Sequence, residues 1–541
     1  MNESCFGKVF ARRSALCFFV ICMLFLFGVL RIYSISRSGY NSASANYGRY
    51  SLTIGRVRGT IYDCNGIPLN NKKERIIAAV SPTATAVTAI SKALANSPVL
   101  KGVLKRLESG KPVLCEVPYM IECEGIVCVC VTQTDTPDKS AVHTVGYTDS
   151  SGHGISGLEA AFDEILYSEQ TVDAVFEIDG NGIVLEGGEI SVIGNDTAEN
   201  GIITTIDSNI QYIAQKSVDS IEQGAVVVCE VSTGRIKAVV SRPDFDCTEV
   251  AKYLNEGNSP LLNRAFTAYS VGSVFKPCVA AAGIEQGIGN RLFQCNGSTL
   301  IENRIFRCHK AEGHGDMSLG EAIKESCNTY FYQFANILDR QAILEKAMAF
   351  NFGMPFDVAE NFSVAAGVLP DAYSLNTSSA IANFAIGQGK LLLSPISILP
   401  LYCAIATDGG YVLPFLVSDK IINGKKQSVK VPKKTFAIEP ETAKELREYL
   451  KRVVEEGTGR AAAPALCTAA GKTATAQTGR YDENGKEITI GWFCGFFPAE
   501  NPLYAVIVMI ENANGYNAAP VFSKIADGIT ALHNGQPVSY W

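Results

Sequence analysis

The 541 residues are too many for one ordinary hydrophobic core and call for two or three domains. Hydrophobic content of 47% against 19% charged fits folded protein with room for a membrane segment. A net charge of −7, with no Lys/Arg-rich run in the body of the chain, argues against nucleic acid as a partner.

The first element is apolar. Ser14 to Leu30 carries no charge, and as a helix it reaches about 26 Å. Continuing through Ile32 and Tyr33, with Arg31 snorkelling, closes the gap to a hydrocarbon core of roughly 30 Å. Lys8, Arg12 and Arg13 precede it, which predicts a cytoplasmic tail over 1–13, a membrane anchor over 14–35 and an exported body. A cleaved signal peptide is the other reading. Its A-x-A site, Ala43-Ser44-Ala45, lies far beyond the apolar run, with Arg31 and Arg37 between.

A polar connector, Ser36 to Tyr50, follows. Arg56 to Asp63 reads as a strand that Asn65-Gly66 turns back. From Ile76 to about Asn200, short helices and strands mix with glycine-rich pieces such as Gly157-Leu158-Glu159, which suits a docking or pedestal module over 36–200. A second domain is expected over 201–541. It opens with a helix capped by Asp207 or Ser208. Ala225 to Val231 and Arg235 to Ser241 form a hairpin around Ser232-Thr233-Gly234. Ile490 to Phe497 and Leu503 to Ile510 form another strand pair, and a last helix is expected from about Ala519 to His533. Early strands, a helical middle, late strands and a closing helix predict an α+β fold with one antiparallel sheet covered by helices.

Three separated pieces carry chemistry. Ser273-Val274-Phe275-Lys276 sets a hydroxyl and an amine one helical turn apart. A serine needs a base to become a nucleophile, and Lys276 serves once burial or a second cation removes its proton. The helix start at Gly272-Ser273 offers unpaired N–H groups for a developing oxyanion. Ser326-Cys327-Asn328 supplies a hydroxyl to relay a proton and a carboxamide to bind a substrate amide and orient Lys276. Gly471-Lys472-Thr473-Ala474-Thr475 offers an ammonium and hydroxyls for a carboxylate, and Lys472 is expected to lower the pKa of Lys276. Gly-Lys-Thr also ends a P-loop, but that motif needs glycine where Leu466 stands.

Serine-x-x-lysine, serine-x-asparagine and a lysine-threonine strand, in this order, describe one kind of active site. The chain resembles the penicillin-binding proteins, specifically the class B monofunctional transpeptidases. Further segments share the likeness: Arg58-Gly59 to Leu69, Gly157-Leu158-Glu159, Asn263-Arg264-Ala265, Gly387-Gln388-Gly389, Ser394-Pro395 and Trp492-Phe493 to Phe496. The resemblance implies a transpeptidase domain of the penicillin-binding-protein and β-lactamase type on an elongated pedestal with a single membrane helix. It implies that Ser273 is acylated by a D-alanyl-D-alanine stem peptide, with Lys276 as base and Ser326 as relay. Asn328 would contact the peptide, and Lys472, Thr473 and Thr475 would complete the substrate site. The backbone N–H groups of Ser273 and Thr475 would form the oxyanion hole. An amine of a second stem peptide would then attack, and β-lactams would trap Ser273.

The implied partners are stem peptides on lipid-linked precursors and a membrane-embedded glycan polymerase of the shape, elongation or division type. No cofactor is implied. A D,D-carboxypeptidase or β-lactamase on the same fold is the enzymatic alternative, and a silent β-lactam-binding envelope scaffold or sensor the non-enzymatic one. One residue departs from the family pattern: Ala474 stands where glycine is usual, and its methyl group is expected to crowd a ligand along the strand edge.

The 17 cysteines show no repeated C-x-x-C spacing, so most are expected to pack as small apolar residues, Cys327 among them. Cys295 and Cys308 bracket a short loop with His309 and His314 just after. A disulfide, a zinc site and two unpaired thiols are all open readings there, and no residue is assigned to a metal.

Overall fold

The computed structural model describes residues 3–37, 48–70, 73–133, 140–194 and 198–536. Most of the polar connector, with Ala43-Ser44-Ala45, lies outside the described residues. Helix α1, Glu3–Arg37, carries the apolar run. Its stretch Arg13–Ser34 has 22 residues, about 33 Å of helix, and is long and apolar enough to cross a bilayer. Leu16, Phe19, Phe25 and Ile32 on it are all exposed.

The rest divides into two compact units. The first comprises Met1–Val57, Glu74–Thr132 and Glu169–Asp196. Within it, strands Val113–Val117, Lys73–Val80 and Ile126–Gln133 form a sheet in that order. Helices Ala84–Ala93 and Leu100–Glu108 cover it through Ala86, Ile90, Val103 and Leu107, which pack on Ala78, Val80 and Val113.

The second unit comprises Arg58–Lys73, Gln133–Ser168 and Thr197–Trp541. Two stretches of the 36–200 region therefore fold with the C-terminal part. Burial explains why. The Arg58 guanidinium donates to Glu159 Oε2 at 2.7 Å and to Asp163 Oδ1 at 2.9 Å, with side chains 5% and 0% exposed for Arg58 and Glu159. Strand Thr60–Tyr62 runs parallel to Gly201–Thr204. Gly59 sits where a Cβ would lie 2.8 Å from Leu166 Cδ2. The turn at Asn65-Gly66 forms as expected, with Asp63 Oδ1 accepting from the N–H groups of Asn65 and Ile67.

Helix α2, Ser208–Ser217, is capped by Asp207, whose carboxylate accepts from Asn209 and Ile210. Strands β1, Gly224–Glu230, and β2, Ile236–Arg242, form the expected hairpin. A 3₁₀ turn, Gly272–Phe275, runs directly into helix α3, Lys276–Glu285. Helix α4, Leu319–Lys324, and helix α5, Asn328–Ile337, flank the second motif. Helix α6 is Pro440–Glu455. Strands β3, Ala470–Tyr481, β4, Glu487–Phe497, and β5, Tyr504–Glu511, precede helix α7, Gly515–His533. That last helix begins four residues before the expected Ala519. Asn514 caps it reciprocally with Asn517, and Pro520 is tolerated near its start.

The five strands make one antiparallel sheet in the order β2-β1-β5-β4-β3. Alternation along the strands splits the core. Val226, Val228, Val506, Val508, Phe493 and Phe497 face α2 and α7. Val227, Ile507, Met509, Trp492 and Cys494 face the helical part with Phe275, Tyr330 and Tyr402. The fold is thus α+β with an antiparallel sheet under helices, and β3, which carries the third motif, lies at one of its two edges.

Candidate active site

Ser273 sits in the 3₁₀ turn, where the N–H of Lys276 bonds back to its carbonyl. Gly272 makes the turn possible, at φ +62° with its N–H donating to Gly387 O at 2.9 Å. A Cβ on Gly387 would lie 2.0 Å from Gly272 O, so the Gly387-Gln388-Gly389 segment presses directly on the turn. Tyr402 Oη donates to Val274 O at 3.0 Å on another side. Ser273 itself is partly exposed. Among the described residues none hydrogen-bonds its hydroxyl, and Lys276 Nζ is directed elsewhere.

Lys276 is fully buried. Its Nζ donates to Ser326 O at 2.7 Å and to Asn328 Oδ1 at 2.8 Å, and lies 3.4 Å from Ser326 Oγ. The Phe331 ring lies 5.2 Å away. Burial pushes the ammonium down from 10.5 to about 8, with nearby Cys327 and Cys308 opposing. The first two motifs therefore meet as expected.

The second motif is a strained link between helices. Ser326 is left-handed at φ +55°, its N–H bonding to Ile323 O and that of Cys327 to Ala322 O. Cys327 then caps α5, its sulfur accepting from the Tyr330 N–H at 3.4 Å. This geometry aims the Ser326 carbonyl at Lys276 and starts α5 on Asn328.

On β3, Lys472 is fully buried and donates to its neighbour's carbonyl, Thr473 O, at 3.1 Å. Burial and then the charge of Lys276 push it well below its ordinary value. Burial is the main cause for both lysines, and the repulsion between their charges works on each in the same sense. Thr473 Oγ1 donates to Thr458 Oγ1 at 3.2 Å. Thr458 in turn bonds Lys324 O through its N–H at 3.2 Å, tying β3 to the helix before the second motif. Thr458 was missed by sequence reasoning, having no motif of its own. Thr475 is exposed on this edge strand, and its Oγ1 accepts from Gly515 N–H at 3.1 Å.

Strand β3 packs on the Ser273 turn. Contact comes through Ala474 and Ala476, whose Cβ atoms would lie 3.4 and 3.2 Å from a Cβ built on Gly272. Ala474 is 4% exposed and belongs to the core. Its methyl group points at Gly272, not along the open edge, which corrects the expectation that it crowds a ligand there. Trp492, paired opposite Ala474, holds the same region by donating Nε1–H to Ser270 O at 3.0 Å.

Cys295 and Cys308 are free thiols, so no disulfide joins them. With His314 and Cys327 they form a cluster whose donor atoms all lie within 4.8 Å of one another. Cys327, read from sequence as packing alone, is thus both a helix cap and a member of a metal-competent set.

Comparison with known proteins agrees with this geometry. The family description "Penicillin binding protein transpeptidase domain" matches residues 224–527. Stage V sporulation protein D of Bacillus subtilis is 28% identical over 396 residues, covering 69% of this chain and 59% of that protein. Peptidoglycan D,D-transpeptidase MrdA of Salmonella typhimurium is 26% identical, with 96% of each covered. For the first two curated relatives, the match spans 59% and 61% of their own length. The Helicobacter pylori penicillin-binding protein solved in complex with MreC shares the fold, with a TM-score of 0.67 at 20% identity over 90% of this chain and 99% of that one. The family match takes in the Ser273 turn, the Ser326 link and strand β3 together, and on that ground the chain belongs to the penicillin-binding protein transpeptidase family.

Proposed function

We propose that this chain is a membrane-anchored peptidoglycan D,D-transpeptidase working through a serine acyl-enzyme. One observation carries the reading: Lys276, buried and held near a pKa of about 8, lies one turn after Ser273 and is gripped by Ser326 and Asn328. A lysine so placed is neutral in a useful fraction of molecules at ordinary pH.

Neutral Lys276 takes the proton of Ser273 as its oxygen attacks the carbonyl between the two terminal D-alanines. The oxyanion enters the backbone N–H groups of Ser273 and Thr475. The proton passes by way of Ser326, 3.4 Å from Lys276 Nζ, to the departing D-alanine nitrogen. Asn328 keeps Lys276 in place and meets the peptide amide. Lys472, Thr473 and Thr475 receive the substrate carboxylate, whose negative charge favours the protonated form of Lys472. An amine from a second stem peptide then attacks the ester and frees Ser273. A β-lactam follows the same first step and stays attached.

The apolar helix α1 anchors the chain, with residues 1–13 cytoplasmic and the body outside. The smaller unit, with its pieces of the 36–200 region, serves as pedestal, and the larger unit, which takes in Arg58–Lys73 and Gln133–Ser168 with the 201–541 part, is the catalytic part. A membrane-embedded glycan polymerase supplies the strands to be joined. The MreC complex of the Helicobacter pylori neighbour supports an assembly of the same kind here.

The test is fluorescent penicillin on the purified full chain. Wild type is expected to label in stable form and Ser273→Ala to remain unlabelled. Labelling that survives the substitution overturns the reading. Rapid release of the label as a hydrolysed product would make it a β-lactamase instead.

A further inference from the structure

A carboxylate accepts hydrogen bonds and donates none, so each hydroxyl that receives it must have a proton to give. Thr475 has one. Its Oγ1 accepts from Gly515 N–H at 3.1 Å, which leaves its own proton for a ligand. Thr473 does not. Its Oγ1 donates to Thr458 Oγ1 at 3.2 Å, and Thr458 Oγ1 donates onward to Lys324 O at 3.3 Å. Each hydroxyl carries a single proton, so in this arrangement both protons are engaged within the protein.

The loop that carries Thr458 is shaped to hold it there. Helix α6 ends at Glu455, and Gly457-Thr458-Gly459 then presses on the helix before the second motif. A Cβ on Gly457 would lie 2.6 Å from Lys324 O, and one on Gly459 would lie 2.9 Å from Val453 Cγ1. Gly459 N–H donates to Val453 O at 2.9 Å and closes the loop. Lys324 O also accepts the backbone N–H of Thr458, at 3.2 Å. That carbonyl therefore keeps a partner when the Thr458 hydroxyl turns away, and the hydroxyl proton is not tied to one position. Thr458 is half-buried and Thr473 is 8% exposed, so a hydroxyl left here without a protein partner is poorly served by water.

We propose that Thr458 is a hydroxyl switch for carboxylate recognition, a positioning residue that frees the Thr473 proton when substrate arrives. This role rests on the carboxylate site assigned above to Thr473. With the cleft empty, the chain of donors runs from Thr473 to Thr458 to Lys324 O. When a carboxylate enters, the Thr473 proton turns to it, and the Thr458 proton turns from Lys324 O to Thr473 Oγ1. The chain then runs from Thr458 to Thr473 to the carboxylate, and no hydroxyl loses its partner. The last of these bonds is charge-assisted, where the bond it replaces is neutral. Accepting from Thr458 also polarises the Thr473 O–H and strengthens what it gives to the ligand. The switch needs one atom that both donates and accepts, which threonine and serine have and valine lacks. An ester in place of the carboxylate carries no charge to draw the proton over, so the switch tells an acid from its ester.

The full chain in detergent is acylated with benzylpenicillin, whose carboxylate stands in for that of the substrate, and with its methyl ester. The second-order rate constants are compared. Thr458→Val is expected to lose about thirtyfold toward the acid and less than about threefold toward the ester, as befits a hydrogen bond to a charged group. Thr458→Ser is expected to stay within about threefold of wild type toward both. Equal losses toward acid and ester would make Thr458 a structural residue only and overturn the switch, as would an unchanged rate toward the acid. The crystal structure of penicillin-acylated wild type is the second measurement, and it holds even if Thr458→Val fails to fold. Thr473 Oγ1 is expected within about 3 Å of both the ligand carboxylate and Thr458 Oγ1. A Thr473 hydroxyl that reaches only one of the two overturns the proposal. A wild type that labels with neither compound faults the proposed function, and the switch falls with it.

Discussion

Gly272 and Gly387 touch backbone to backbone beside the nucleophile, the N–H of one donating to the carbonyl of the other at 2.9 Å. Both have positive φ, +62° and +73°. Gly387→Ala adds roughly 1–2 kcal/mol of left-handed strain and a Cβ that must displace Gly272 O. The Ser273 turn then shifts against β3. We expect penicillin acylation to fall roughly a hundredfold while the sheet stays folded. Stopped-flow acylation together with circular dichroism would check it, and a near-normal rate would show that the turn does not depend on this contact.

The titration of Lys276 predicts a pH profile. Burial lowers it from 10.5 to about 8, so the neutral base gains population as pH rises. Below pH of about 8 the acylation rate should fall tenfold per unit, and above it should level off. Stability follows the same group. Between about 8 and 10.5 the unfolded chain binds the proton that the folded chain has released, so this contribution makes the protein more stable as pH rises through that window. A flat acylation profile between pH 6 and 9 would rule out Lys276 as the base.

The strands were legible because their residues sit in long apolar runs, as in Val226 to Cys229 and Tyr504 to Ile510, bounded by turn residues. The three motifs were legible because each keeps its chemistry within a few residues. What stayed hidden depends on contacts between distant segments. Cys295, Cys308 and His314 stand close enough in the chain to be grouped by eye, but Cys327 joins them only through the fold. Thr458 gained its place only from Lys324 and Thr473. The start of α7 was masked by Pro520, which reads as a helix boundary but sits one turn inside. The division of 36–200 was invisible because Arg58 and Glu159, 101 positions apart, form their ion pair out of water.

That ion pair gives a stability prediction. Glu159→Ala leaves the Arg58 guanidinium buried without its main counter-charge, beside Asp163 alone. We expect a loss of about 3–5 kcal/mol, read as a lower denaturant midpoint. The double change Arg58→Met with Glu159→Leu removes both charges and should recover much of it. Equal losses in the single and double variants would mean that the two charges are not coupled.

Ala474 offers the sharpest test of how the third motif is built. Restoring glycine there, the residue usual in the family, would speed acylation if the methyl group stood in the path of a ligand. The structure puts that methyl 4% exposed, against Gly272 and within the core. Ala474→Gly should therefore leave the acylation rate within about threefold and cost roughly 0.5–1 kcal/mol through a looser strand. Ala474→Val should do the greater harm, because the added methyls press on the Gly272 turn and move Ser273 away from Thr475. A glycine variant that acylates many times faster would place the methyl back on the open edge.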